Sequence, residues 1–302
     1  MTSVACPLCR KSDTFSARSI EIESVLRQWK QLLEMDVSEE LKGISQLELR
    51  VCRNCLIQFF LPYSVAGSPA LYGKLEKFSW YYMPRKWEHD AALEDLQGCA
   101  NGIEVGCGFG DFVARVIKEK QIPFEGCEQN PSAVETARKN GLSVYLETSQ
   151  NLAKYQPEFY SAVCSFQVLE HVADPASFLE SCCSLLKPGG KLMIGVPNAK
   201  SFLRHQFNPL DMPPHHMSRW TNETLEGLQK LFPLKLIRIA YEPLAEFQIG
   251  EYIEAHAQHM IKRGNRLLSH PGIRSRLARF IRWSGMRRVL RGQCIYASYV
   301  RV

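Results

Sequence analysis

From Asn101 onward, short apolar runs alternate with stretches in which apolar residues recur at every third or fourth position. The runs at 102–105, 124–127, 142–146, 161–166 and 191–196 read as strands. The periodic stretches between them read as helices, from about Asp111 to Glu119, from Pro131 to a stop at Gly141, and from Ala176 to Leu186. Asn130 is placed to cap the second helix, and Pro188-Gly189-Gly190 breaks the third. The run 161–166 is almost continuously apolar, which suits a parallel strand buried on both faces. A helix over 222–231 and two β-rich segments, 234–240 and 293–300, complete the pattern, with a helical insertion at about 243–291. Strand–helix alternation of this kind predicts an α/β domain with a parallel sheet.

Upstream the pattern changes. Residues 1–62 hold two cysteine pairs around a charged stretch, 20–41, that reads as helix. Residues 63–98 are aromatic-rich and read as a helical linker or lid into the main domain, 99–302. The composition, 45% hydrophobic and 23% charged over 302 residues, is that of an ordinary globular protein with room for one domain and a small module. No apolar run has the length of a membrane span, and Met1 to Asp13 lack the apolar core of a signal peptide, so the expectation is a soluble, cytoplasmic protein. Eleven cysteines, an odd number scattered through expected strands and helices, fit a reducing compartment. The net charge of +6 is unevenly placed: no acidic residue follows Glu254, whereas eleven Lys or Arg lie between Lys262 and Arg301. That local basicity points to a local partner surface rather than to general nucleic-acid binding.

Candidate chemistry begins at Glu104-Val105-Gly106-Cys107-Gly108-Phe109-Gly110, a glycine-rich turn between a strand and a helix. Such a turn lets the backbone approach a ligand closely, and by itself would equally suit a dinucleotide. Glu128 ends the second strand, where a carboxylate can accept two ribose hydroxyls. Phe166-Gln167-Val168-Leu169-Glu170-His171-Val172 and Leu186-Lys187-Pro188-Gly189-Gly190 follow. In this order and spacing the set resembles the class I S-adenosylmethionine methyltransferases of the type 11 and type 23 groups, over about residues 100–302. Dehydrogenases share the first turn but not the later two elements. The resemblance implies a doubly wound, Rossmann-like sheet of seven strands with the last antiparallel. It also implies S-adenosylmethionine as cofactor. Glu104, Gly106, Cys107, Gly108 and Gly110 would line its methionine part and Glu128 its ribose. Gln129, Glu147 and Thr148 would flank the adenine, and Gln167 and Val168 the sulfonium. Tyr81 and Tyr82 would close over the cofactor, or pack in the core.

Cys6-x-x-Cys9 and Cys52-x-x-Cys55 are two knuckle-type pairs able to complete a closed tetrahedral zinc site. No histidine lies nearby, so the expected zinc is structural. Similar modules occur in zinc-containing sugar C-methyltransferases, where they help shape the substrate entrance. On the acceptor side, Pro213-Pro214-His215-His216-Met217-Ser218-Arg219-Trp220 follows the fifth strand. It is similar to a loop of many type 23 methyltransferases, and His215 or His216 is read as general base or acceptor partner, or as a residue that pins the loop. A metal role for this pair lacks a third ligand, and His171 is read as structural or as part of the cofactor's surroundings. In the basic insertion, Ile273, Leu277, Phe280, Ile281 and Ser284 recur at helical spacing among Arg274, Arg276, Arg279 and Arg282. This helix, within 262–291, would lie on an anionic membrane, meet an acidic substrate, or pack on the sheet. The expected reaction is methyl transfer to a small molecule or glycan, a sugar hydroxyl or carbon on a nucleotide or lipid carrier. The alternatives are another metabolite such as a quinone or polyketide, an RNA, or a non-catalytic role in cofactor binding.

Overall fold

The computed structural model describes residues 4–78, 80–264 and 267–302. Its first elements are strand β1 (Thr14–Glu21), helix α1 (Ile22–Leu33) and strands β2 (Gln46–Cys52) and β3 (Gln58–Leu61), which form an antiparallel meander. The helix expected over 20–41 is thus shorter. Ile20 belongs to β1, and α1 ends where Glu34 turns left-handed at φ 55°. Beyond it Asp36 accepts the Ser38 amide in a tight turn. Ile22, Val25 and Trp29 recur at helical spacing and bury one face of α1 against the meander.

Helices α2 (Pro69–Leu75) and α3 (Trp87–Asp95) lead into the main sheet. Its strands are β4 (Gly102–Val105), β5 (Phe124–Glu128), β6 (Val144–Leu146), β7 (Tyr160–Phe166) and β8 (Leu186–Pro197). Between them run α4 (Asp111–Lys120), α5 (Pro131–Lys139), α6 (Ser149–Tyr155) and α7 (Pro175–Leu185). Asn130 caps α5 as expected, accepting the Ser132 amide. The remainder comprises β9 (Ser218–Arg219), α8 (Asn222–Gly227), β10 (Leu234–Pro243), α9 (Ile249–Lys262), α10 (Pro271–Trp283) and β11 (Arg291–Arg301). The helix expected over 222–231 is α-helical only to Gly227 and tightens into a 3₁₀ turn at Leu228–Lys230.

The main sheet has the order β10-β11-β8-β7-β4-β5-β6. Strands β4 to β8 are parallel, and the last strand, β11, runs antiparallel to both its neighbours. This is the doubly wound, seven-stranded arrangement expected. The strand order reverses at β4, with β5 and β6 added on one side and β7 and β8 on the other, so a crevice opens at the carboxyl ends of those strands.

A second sheet has the order β1-β2-β3-β9. Its fourth strand comes from the Pro-His loop: Phe59 and Gln58 pair with Ser218 and Arg219, and the Phe60 amide donates to the Met217 carbonyl at 3.0 Å. The N-terminal module therefore holds the loop that carries His215 and His216. Helices α9 and α10 pack on Phe202 and Leu244 through Ile249, Ile253 and Ile281. The apolar stripe foreseen on α10 is only partly used, since Ile281 is buried whereas Phe280 is 56% exposed and neighbouring Trp283 82% exposed.

Candidate active site

At the end of β4 the chain turns through Gly106 and Gly108, both left-handed, at φ 78° and 52°. A Cβ on Gly106 would stand 2.3 Å from Val168, and one on Gly108 2.9 Å from the Tyr82 ring. Positive φ and close packing together leave room for glycine alone. The Glu128 carboxylate closes the turn from β5. One oxygen accepts the Gly108 amide at 3.0 Å, and the other accepts the amides of Gln129 and Asn130 at 2.7 and 2.9 Å.

Against this turn lies a cavity of about 530 Å³. It brings together Glu104, Gly106, Cys107, Gly108, Gln167, Tyr81, Tyr82, His215 and His216 of the expected site. Gly110, Glu128, Gln129, Glu147, Thr148 and Val168 do not line it. Each has another position: Gly110 caps α4, and Val168 packs under Gly106. Gln129 is exposed, Glu147 accepts from Thr148 and Asn151, and the Thr148 hydroxyl caps α6. Tyr82 packs edge-on against Phe109, with ring centroids 4.7 Å apart.

Glu104 is 4% exposed, and one of its oxygens has no hydrogen-bond partner among the described residues. Burial raises its carboxyl to about 8, with Lys86 pulling the other way. A buried acceptor left bare is costly unless a ligand supplies the donor, and the ammonium of a bound amino-acid moiety would do so. Gln167, at the end of β7, holds φ 57°, uncommon outside glycine, and donates from its amide to Glu88 at 2.9 Å. Glu88 is itself buried on α3, and its carboxyl is raised by desolvation. The expected turn, the bare acid and the aromatic cover fit a nucleoside-linked amino acid.

Across the cavity stand three imidazoles. His215 and His216 are stacked with centroids 4.5 Å apart, and His171 lies 4.5 and 4.8 Å from them. Burial lowers His171 to about 4 and puts both loop histidines well below the usual imidazole range, so all three are neutral at physiological pH. Glu170 lies against them, 1% exposed, with Oε1 3.8 Å from His171 Nε2 and 4.0 Å from His216 Nε2. Its carboxyl is raised to about 8 by burial, and neither oxygen has a hydrogen-bond partner among the described residues. Asp211 faces His216 Nδ1 at 3.6 Å and is ion-paired with Arg219. Sequence reasoning singled out His171 but neither Glu170 nor Asp211 as part of this group. The Glu170-His171 pair was a visible signal; nothing local to Asp211 was.

The four cysteines of the N-terminal pairs form a separate cluster. Cys6 Sγ is 3.5 Å from Cys55 Sγ, Cys9 Sγ is 3.6 Å from Cys52 Sγ, and all four sulfurs lie within 4.8 Å of one another. These distances exclude disulfides, whose bond is about 2.05 Å. They approach the edge of about 3.8 Å that a tetrahedral zinc with bonds of about 2.3 Å requires. The amides of Leu8 and Cys9 point at Cys6 Sγ, as in a knuckle that stabilises thiolate.

Comparison with known proteins agrees with this architecture. Residues 57–238 match a family model described as a methyltransferase domain. Similar curated proteins include the ubiquinone biosynthesis O-methyltransferases of Xanthomonas oryzae pv. oryzae and Xylella fastidiosa. The first is 31% identical over 121 residues, 38% of this chain and 50% of the relative. The second is 30% identical over 121 residues, 38% and 48%. The chain thus spans about half the length of these curated relatives. Among solved structures, a possible histamine N-methyltransferase from Thermotoga maritima superposes with a TM-score of 0.50 at 18% identity, covering 78% of this chain and 98% of that one, a likeness of fold. The family match spans more than half of the chain and takes in the glycine turn and the switch point of the sheet, and the chain belongs to the methyltransferase-domain family, with the class I S-adenosylmethionine-dependent fold.

Proposed function

We propose that this protein transfers the methyl group of S-adenosylmethionine to a hydroxyl of a small molecule or glycan. The observation that carries this reading is a single cavity with the glycine turn and bare Glu104 on one side and neutral imidazoles on the other. When bound, the cofactor supplies an electrophilic methyl carbon on a sulfonium. Glu104 would receive the ammonium of its amino-acid end, Gly106 to Gly108 would let the backbone come close, and Glu128, beside the turn but outside the cavity lining, would accept the ribose hydroxyls with its remaining lone pairs. With the cofactor bound, the histidine group around His215 and His216 would orient an acceptor hydroxyl and take its proton as the methyl group is transferred. A sugar on a nucleotide or lipid carrier remains the favoured acceptor because the N-terminal module resembles those of sugar-modifying relatives. A quinol-type ring hydroxyl is the second reading, favoured by the names of the curated relatives. Cys6, Cys9, Cys52 and Cys55 hold one structural zinc in this reading.

The test is calorimetric titration with S-adenosylmethionine, followed by incubation with labelled cofactor and a panel of nucleotide sugars, lipid-linked sugars, quinol precursors and RNA. Label should appear on a hydroxyl of a small-molecule acceptor. Absence of cofactor binding would overturn the reading, and label on RNA alone would move the acceptor to nucleic acid.

A further inference from the structure

We infer that His171, His215, His216 and Glu170 form a second metal site, one that takes a divalent transition-metal ion inside the methyl-transfer cavity. The donors are already oriented. His171 Nδ1 lies 2.7 Å from the His215 carbonyl and His215 Nδ1 lies 2.8 Å from the Leu210 carbonyl. A carbonyl can only accept, so both Nδ1 atoms carry hydrogen and both Nε2 atoms present lone pairs. The His215 Nε2 is buried with no partner among the described residues. His216 Nδ1 has no hydrogen-bond partner among the described residues, but the Asp211 carboxylate stands 3.6 Å from it, close enough for a small shift to back that ring as carbonyls back the other two. Imidazoles backed in this way by carbonyl or carboxylate are the usual surroundings of metal-bound histidine.

The ligand atoms offered by the three histidines lie within 4.8 Å of one another. Metal–nitrogen bonds of about 2.1 Å put two ligands at most about 4.2 Å apart, so binding draws the rings slightly together. Glu170 adds a carboxylate whose two oxygens are buried and bare, which a cation would satisfy. Three neutral imidazoles and one carboxylate suit zinc, manganese, iron or nickel better than magnesium, which prefers oxygen. The site is distinct from the four-cysteine cluster in donor type and place. Its role in the reaction rests on the methyltransferase reading: with the imidazole lone pairs on the ion, the histidines would no longer act as the base, and an acceptor oxygen bound to the ion would have a lowered pKa and lose its proton to solvent. The binding claim itself does not need that reading.

The test uses the full chain with its four-cysteine metal left in place. Cobalt(II), manganese(II) and zinc(II) are titrated in turn and total metal is measured by mass spectrometry, while cofactor affinity is measured separately. The wild type should take one equivalent beyond that of the cysteine cluster. Cobalt there should absorb as an imidazole–carboxylate complex, without the thiolate charge-transfer band of a cysteine site. Glu170→Gln and His216→Asn should each weaken that equivalent by about tenfold or more, with cofactor affinity near wild type and circular dichroism showing that each variant is folded. If the wild type takes no second equivalent of any of the three ions, the inference falls. It also falls if folded variants bind as the wild type does, or if the cobalt spectrum is of thiolate type. Where a variant does not fold, the wild-type spectrum decides. Metal binding without cofactor binding would sink the methyltransferase reading and leave the site; cofactor binding without metal would do the reverse.

Discussion

Glu104 gives the sharpest residue-level expectations. Its carboxyl sits at about 8 in the folded chain against an ordinary 4.5. Between those values the cofactor-free folded state holds a proton that the unfolded state has lost, so its contribution is full below the lower value and fades as pH rises through the upper one. Glu104→Gln should therefore melt progressively higher than wild type as pH is raised from about 5 to about 8, which differential scanning fluorimetry reads directly. The same change should weaken S-adenosylmethionine binding by about tenfold to a hundredfold, the loss expected of a hydrogen bond to a charged group. Cofactor binding near neutrality should also release a proton from the wild type, visible as a dependence of calorimetric enthalpy on the buffer; an enthalpy independent of buffer would show that Glu104 is already ionised. Gly106→Ala should lower both the melting temperature and cofactor affinity, because the methyl group meets Val168 at 2.3 Å on a left-handed backbone. Glycine spacing and strand-end acids were legible in the sequence because they are local. Glu170 was half legible beside His171, and Asp211 was not, because its relation to His216 is set by the path of a loop that no periodicity describes.

At the scale of elements, the β-strands of the main sheet were readable from apolar runs, and departures were mostly confined to their ends. The N-terminal meander was not. Strand β1 alternates little, six of its eight residues being exposed, so it carries no clear two-residue period, and its last two residues, Ile20 and Glu21, read as the start of the helix. Strand β9, two residues long, carries no pattern of its own. Its pairing with β3 nevertheless joins the cysteine cluster to the histidine loop, since Cys55 lies in the turn that leads into β3, and Phe59 of β3 pairs with Ser218. With the proposed zinc at the cysteine cluster, a strong chelator, or Cys52→Ser, should raise amide hydrogen exchange at 14–61 and 212–220 while leaving β4 and β7 protected. Unchanged exchange in the histidine loop would show that the module does not hold it.

For the molecule as a whole, a doubly wound, seven-stranded sheet with its last strand antiparallel was foreseen through resemblance, and composition alone would not have given it. The insertion was foreseen as basic and helical, but not the exposure of Phe280, Trp283 and Val289 alongside Arg276 and Arg279. No helix among the described residues is long and apolar enough to cross a membrane. A face of aromatic and guanidinium groups instead predicts reversible adsorption to anionic lipid. The protein should sediment with phosphatidylserine vesicles and not with phosphatidylcholine ones, and salt or the pair Arg276→Glu and Arg279→Glu should release it. Equal binding to both vesicles would exclude an electrostatic contribution. The β3–β9 pairing also bears on how the chain is made. As the polypeptide leaves the ribosome, Phe59 and its neighbours emerge long before Ser218 exists, so the small sheet presents an open edge until most of the methyltransferase domain has been synthesised. Closing it is a contact of high sequence separation and should be a late, slow step, and until then the nascent N-terminal region carries an unpaired strand edge open to wrong partners.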